Sequence, residues 1–391
     1  MRHPNPSTPS RGRAALMALL VLIVAVALAA CGGDDDSVGG GNESATQVAK
    51  SGPAKGEITI SNWPAYMDVG KDNTVAEFQR EKDVKVDYVE DVNDNAEFFG
   101  KLRPQLEQGE SGGRSIFVVT DWMAKQMYDL GFLQELDHAT LPTVFENLRP
   151  DLQNPSFDPE RKFSVPWQTG LTGMMVNEKL APDVRSVNDL FDPQYKGKVT
   201  MLSEMRDTVP LVMKADGVDV DEATKQDWLD AIDKLREATE SGQIRRFTGN
   251  DYNQDMTNEN VVAAIGWSGD TSIIENEDVS WRMPAEGCII WSDNMVIPKG
   301  APNTAAALEW MNFTYEPRVQ ADIAEYVQYV TPVAGVDEVL RERDPALADN
   351  QLIFPDEQFT ADCSTQPDPP GSAEDRQEVT EAFQDVVTGR S

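Results

Sequence analysis

Residues 56–89 read GEITISNWPAYMDVGKDNTVAEFQREKDVKVDYV, and this stretch decides the fold. Glu57-Ile58-Thr59-Ile60-Ser61-Asn62-Trp63 alternates apolar and polar side chains, which is the period of a strand. Thr74 to Glu81 gathers Val75 and Phe78 on one helical face, and Val84-Lys85-Val86-Asp87-Tyr88-Val89 returns to period two. The same order continues outward. Asn95 to Gln108 reads as a helix with Pro104 as a place to bend. Ser115-Ile116-Phe117-Val118-Val119 is a continuous apolar run of the kind buried on both sheet faces, and Trp122 to Leu130 is a helix stopped by Gly131. Three strand–helix units in succession predict a mostly parallel sheet with helices on both faces.

A second series begins near Gly173-Met174-Met175-Val176-Asn177. Val199-Thr200-Met201-Leu202 and Val261 to Trp267 are its strands, and Asp207 to Lys214 and Ala223 to Ala238 its helices. Cys288 to Trp291 and Asn294 to Pro298 form an extended stretch joining two lobes, followed by helices over Ala305 to Thr314 and Glu316 to Tyr326. The Pro367 to Pro370 segment is a loop. Two α/β lobes joined by hinge strands place a site in the cleft between them, beyond the carboxyl ends of the strands.

The N-terminus sets the compartment. Arg2, Arg11 and Arg13 precede an apolar run from Ala14 to Ala30, about the length of a signal-peptide core. Leu28-Ala29-Ala30-Cys31-Gly32 resembles a bacterial lipobox, which implies cleavage before Cys31 and acylation of its thiol. Gly32 to Lys55 is nearly empty of large apolar residues and reads as a flexible tether. The expected boundaries are a signal peptide over 1–30, a tether over 31–55, a first lobe over 56–171 with 293–340, and a second lobe over 172–292 with 341–391. With Cys31 assigned to lipid, Cys288 and Cys363 are left, either as a disulfide or as two unpaired thiols.

The formal net charge is −33, and losing the three arginines of residues 1–30 takes it to −36. Such a chain is not built for nucleic acid or an anionic membrane surface. His3 leaves with the signal peptide, and the remaining His138, in the polar Leu136-Asp137-His138-Ala139 loop, reads as an exposed bystander, which argues against a Ser-His-Asp triad or a histidine metal site. Neither a Gly-x-Gly-x-x-Gly nor a Walker loop is present, and no cofactor is expected. Asp91-Val92-Asn93-Asp94-Asn95 opens like a calcium loop, but Ala96 stands at the glycine position and Leu102 at the twelfth, so it is a turn.

Aromatic residues recur beside carboxylates at the ends of the expected strands. Trp63 and Tyr66 follow the first strand, Thr120, Asp121 and Trp122 the third, and Glu204 and Asp207 the Val199–Leu202 strand. Trp267 and Asp270 follow another, Trp291 and Asp293 sit in the crossover, and Tyr329 follows a late helix. An alkylamine cation asks for this combination: carboxylates for its ammonium groups and flat rings for its methylenes.

Read in order, Ser61 to Tyr66, Gly131 to Asp137, Phe157-Asp158-Pro159, Ser164 to Trp167, Phe191 to Lys198, Gly287 to Asp293 and Tyr329-Val330-Thr331-Pro332 resemble the spermidine/putrescine-binding proteins of ABC importers. The resemblance runs from about Gly56 to Tyr329. It implies a type II periplasmic-binding fold and no enzymatic activity. It further implies a monomer on the extracytoplasmic face of the cell membrane that hands a polyamine to an ABC permease. In the same terms, Trp63, Tyr66, Trp122, Trp267, Trp291 and Tyr329 supply ring walls, Thr120 a polar rim, and Glu204, Asp207 and Asp293 the acids that hold amine groups. Where the spermidine binder has an acid before the tyrosine, this chain has Ala65, with Asp121 as the candidate compensation. The alternatives are a same-fold binder of another organic cation, a metal chelate or a sugar, a sensor docking on a receptor, and an extracellular hydrolase using Glu204 and Asp207.

Overall fold

A computed structural model describes residues 47–390, and the expected signal peptide and the lipidation residue Cys31 lie outside the described residues. The strands are β1 Gly56–Asn62, β2 Val84–Glu90, β3 Ile116–Thr120, β4 Val165–Asn177, β5 Val199–Leu202, β6 Ile244–Thr248, β7 Ala263–Trp267, β8 Val279–Arg282, β9 Ile289–Val296 and β10 Ser364–Thr365. The helices are α1 Thr74–Lys82, α2 Asn95–Leu106, α3 Asp121–Asp129, α4 Pro142–Asn147, α5 Met205–Ala215, α6 Lys225–Glu240, α7 Tyr252–Thr257, α8 Thr304–Thr314, α9 Pro317–Val327, α10 Val336–Arg343, α11 Pro345–Ala348 and α12 Ala373–Thr388.

The sheet runs in the order β2-β1-β3-β9-β4-β7-β5-β6. Its two ends are parallel triplets, β2-β1-β3 in the first lobe and β7-β5-β6 in the second. Between them β9 and β4 run antiparallel to each other and to their outer neighbours. These two strands are the hinge. β4 is buried along all 13 residues and carries β9 and then β8 along one edge. It begins eight residues before the expected start at Gly173 and carries a register shift between Pro166 and Gln168, the kind of irregularity at which sheets admit proline.

Local chemistry explains the helix starts. The Asn73 side chain accepts from the Ala76 amide at 2.9 Å and Asp94 from the Glu97 amide at 2.9 Å, satisfying first-turn donors that have no partner within their helices. Asp94 is therefore a helix cap, and Asp91 pairs with Arg114, which accounts for the calcium-loop look-alike. Thr224 with Asp227 and Ser372 with Asp375 form reciprocal capping boxes at α6 and α12.

Two expectations are corrected. The tether was expected to reach residue 55, but Ala49 is buried and its amide donates to the Glu135 carbonyl, the Glu135 amide donates to the Gln47 carbonyl, and Thr304 donates to the Lys50 carbonyl. Short backbone pairing is enough to dock a polar segment whose side chains bury little. β6, β8, β10, α4, α7, α10, α11 and α12 are absent from the expected elements. In β6 two arginines interrupt the apolar pattern. In α12, Val379, Phe383 and Val386 stand at i, i+4 and i+7, a helical spacing that reveals it, and they pack the helix on α6 and Phe247. Cys288 and Cys363 are joined by a disulfide with Cα atoms 4.3 Å apart.

Candidate functional site

The carboxyl ends of the parallel strands from both lobes face one another across β4 and β9, and a cavity of about 400 Å³, its mouth included, opens there. The chain leaves β1 at Asn62 and delivers Trp63, Pro64 and Tyr66. β3 ends on Thr120, and the first turn of α2 adds Asn95. The turn from β5 into α5 supplies Glu204 and Asp207, and the turn after β7 supplies Trp267 and Asp270. Trp291 and Asp293 stand on β9 two residues apart, so strand alternation aims both the same way. Tyr329, Asn250 and Gln366 complete the wall.

The rings meet edge to face, except for the tilted pair Trp291 and Tyr329. Trp267 meets Trp63 at 5.9 Å and Trp291 at 6.3 Å between centroids. Tyr329 meets Tyr66 at 5.1 Å and Trp291 at 5.7 Å. Gly269 is required beneath Tyr329, since a Cβ there would lie 2.3 Å from the ring.

Four carboxylates share this box, and among the described residues no lysine or arginine lines it. Asp207 accepts from Thr172 Oγ1 at 3.0 Å, Gln366 Nε2 at 2.9 Å and Trp267 Nε1 at 3.1 Å. Asp270 accepts from the hydroxyls of Tyr252 and Tyr329, each at 2.6 Å, and from Asn253 Nδ2 at 2.7 Å. Thr120 Oγ1 donates to Asp293 at 2.8 Å. Glu204 accepts from both the backbone and the side chain of Asn95, at 2.7 and 2.9 Å.

Burial raises the pKa of all four, because a desolvated carboxylate resists ionisation. It lifts Asp293 to about 7, against the donors Thr120 and Tyr66, and Asp207 to about 6, against Trp267, Thr172 and Gln366. Burial and then the neighbouring acids Asp94 and Asp207 push Glu204 well above the usual range. Asp270 is raised by burial, which its Tyr and Asn donors only partly offset. A cation entering this cavity would meet acids already stripped of water and rings ready to face it. Among the described residues, no three His, Cys, Asp or Glu side chains are grouped to hold a metal ion.

Nine of the expected site residues line the cavity: Trp63, Tyr66, Thr120, Glu204, Asp207, Trp267, Trp291, Asp293 and Tyr329. Asp121 and Trp122 do not. Asp121 accepts from Asn294 Nδ2 at 2.6 Å beside Arg161, and Trp122 carries the Arg206 guanidinium over its ring at 3.9 Å. Thus Asp121 does not compensate for Ala65 inside the box. Asp270, Asn95, Asn250, Gln366 and Pro64 were not among the expected site residues. Asp270 stands three positions after Trp267, a spacing that was readable; the others carry no local signal.

The sequence model of the bacterial extracellular solute-binding proteins matches residues 73–355. The spermidine/putrescine-binding periplasmic protein of Escherichia coli is 27% identical over 302 residues, covering 75% of this chain and 82% of the relative. A putrescine-binding periplasmic protein of Pseudomonas aeruginosa is 27% identical, covering 85% and 92%. The structure of the substrate-binding protein of a spermidine/putrescine ABC transporter from Streptococcus pneumoniae superposes with a TM-score of 0.67 at 25% identity, covering 86% of this chain and 99% of that one.

Proposed function

The chain belongs to the bacterial extracellular solute-binding proteins, and from that membership we propose that it captures a putrescine- or spermidine-like cation between its lobes for an ABC importer. One observation carries this reading: four buried carboxylates face an aromatic box with no cationic side chain among the described lining residues. Such a site lacks the positive charge that its acids call for, and an extended diamine supplies it at two ends while its methylenes lie on the rings. Each ammonium over a ring adds about 0.5–2 kcal/mol. Relatives named for spermidine and putrescine support the same ligand class. Asp293, Asp207, Asp270 and Glu204 hold the ammonium groups in this reading, and Trp63, Trp267, Trp291 and Tyr329 wall the chain.

The protein works as a monomer, without enzymatic activity, held on the extracytoplasmic face of the membrane through lipid on Cys31. Labelling with a palmitate analogue, lost in Cys31→Ser, tests the anchor. Calorimetry with putrescine, spermidine and spermine tests the ligand: heat with at least one of them is expected. Silence with all three, alongside a thermal shift by a sugar or a metal chelate, would sink the polyamine reading.

A further inference from the structure

We propose that the Cys288–Cys363 disulfide is a positioning device for the binding site: it pins the C-terminal strand beside β9 and thereby holds the Gln366 amide on Asp207. The proposal rests on the reading of Asp207 as a ligand carboxylate, and it reaches into a segment beyond residue 355, where the family match ends.

Gln366 lies three residues after Cys363. Its Nε2 reaches Asp207 Oδ1 at 2.9 Å, the same oxygen that Thr172 serves. Thr172 Oγ1 in turn accepts from Trp291 Nε1 at 2.9 Å, so the amide joins a network that also fixes a ring of the box.

Gln366 lies between two anchors, the disulfide three residues before it and α12, which begins at Ala373 and packs on α6. β10 has two residues, Ser364 and Thr365, paired with Ile289 and Ile290 of β9, and beside that ladder Ser364 N donates to the Cys288 carbonyl at 2.9 Å and Gln366 N to the Ile290 carbonyl at 2.8 Å. Lys214 Nζ reaches the Asp362 carbonyl and Ser364 Oγ, each at 3.1 Å, and Arg206 pairs with the exposed Asp368. Each of these bonds contributes about as much as the entropy of fixing one residue's backbone costs, so they leave little surplus to fix the Gln366 side chain. The cross-link restricts the segment in advance on the side of Ile289 and Ile290, next to Trp291 on the site's own strand.

The experiment uses the full-length protein without ligand. Trp267 Nε1 donates to Asp207 Oδ2, so the Trp267 indole resonance in a proton–nitrogen spectrum reports Asp207 as pH is varied. Glu204, Asp293, Arg206 and Tyr252 also face Asp207 and are present in every variant compared. Gln366→Ala removes a donor from the ionised carboxylate and should raise the midpoint. Cys288→Ser with Cys363→Ser should raise it equally, and the triple variant should add nothing. A disulfide-free protein with the wild-type midpoint, or shifts that simply add, would overturn the proposal.

If the serine pair fails to fold, folded wild-type protein reduced with TCEP takes its place, and an unmoved midpoint there overturns the proposal as well. Putrescine affinity should fall by a similar factor, about fivefold, in Gln366→Ala and in the disulfide-free protein. A wild type that binds no polyamine counts against the proposed ligand alone, because the ligand-free titration still decides what the disulfide does.

Discussion

Asp293 concentrates the argument at the scale of one side chain. It is 3% exposed, it sits on the hinge strand β9, and one of its oxygens already holds the Thr120 hydroxyl. Removing its charge in Asp293→Asn should weaken putrescine binding by about 2–5 kcal/mol, read by calorimetry, as for the loss of one member of a buried charge pair. Its titration has a definite sign. The folded pKa is near 7 for Asp293 and near 6 for Asp207, against 3.8 for an unperturbed Asp. The ligand-free folded state therefore holds these protons more tightly than the unfolded chain. That contribution to stability is complete below about pH 4 and is lost as pH rises through 6 and 7. The ligand-free melting temperature should fall over this window, less so in Asp293→Asn. Affinity for a dication should rise over the same window as the acids ionise. An affinity flat from pH 5 to 8 would contradict the assignment of these acids to the ligand.

At the scale of elements, the loop after β6 meets the loop before α2 across the cleft. A Cβ on Gly249 would lie 2.3 Å from the Asn93 carbonyl, while the backbone of Gly249 is not in the left-handed region. Gly249→Ala is thus tolerated locally and costs only where the lobes meet. We expect about a tenfold loss of affinity by calorimetry, in keeping with the 1–3 kcal/mol of overpacking, and a ligand-free melting temperature within about 2 °C of wild type. α12 offers the opposite case. Phe383 is fully buried against Phe247, 5.8 Å between centroids and remote from the cavity lining. Phe383→Ala should cost about 3–5 kcal/mol of stability in denaturant unfolding and leave the affinity of the folded protein unchanged.

The elements also show what local chemistry makes legible. α1 could be placed from the helical spacing of Val75 and Phe78, while its cap Asn73 and the cap Asp94 of α2, read as part of a turn, emerged with the structure. The adjacent pair Thr120 and Asp121 shows the limit. Both follow the same apolar run, yet consecutive residues at a strand end point to opposite sides, so Thr120 reaches Asp293 while Asp121 turns to Asn294 and Arg161. Composition could not choose between them, since register makes the choice.

For the whole molecule, the charge of −33 and the acidic cleft should speed the encounter with a cation. Stopped-flow fluorescence of the site tryptophans should show an association rate for putrescine that falls several-fold from low salt to about 0.5 M, with a smaller change in dissociation. A rate insensitive to salt would remove steering from the account. The contacts that span the lobes include polar ones, Asn95 to Glu204, Ser203 to Asp94 at 2.9 Å, Tyr329 to Asp270 and Arg206 over Trp122, beside the rings Trp63 on Trp267 and Tyr329 on Trp291 that line the cavity. An interface of this kind lets a ligand decide the balance between open and closed arrangements.

The sequence alone settled what acts over short range: the strand–helix alternation, the extended strands that join the lobes, and the pairing of rings with acids at strand ends. Tertiary structure decided which of those groups converge. It turned Asp121 and Trp122 away from the cavity, brought in Asp270 through a single turn after β7, and carried Gln366 to Asp207 from 159 residues away by way of a disulfide. The physical reason is that periodicity fixes the face a side chain takes within its own element. The cavity, by contrast, is assembled from elements of both lobes, and their relative placement is set by register along β4 and β9.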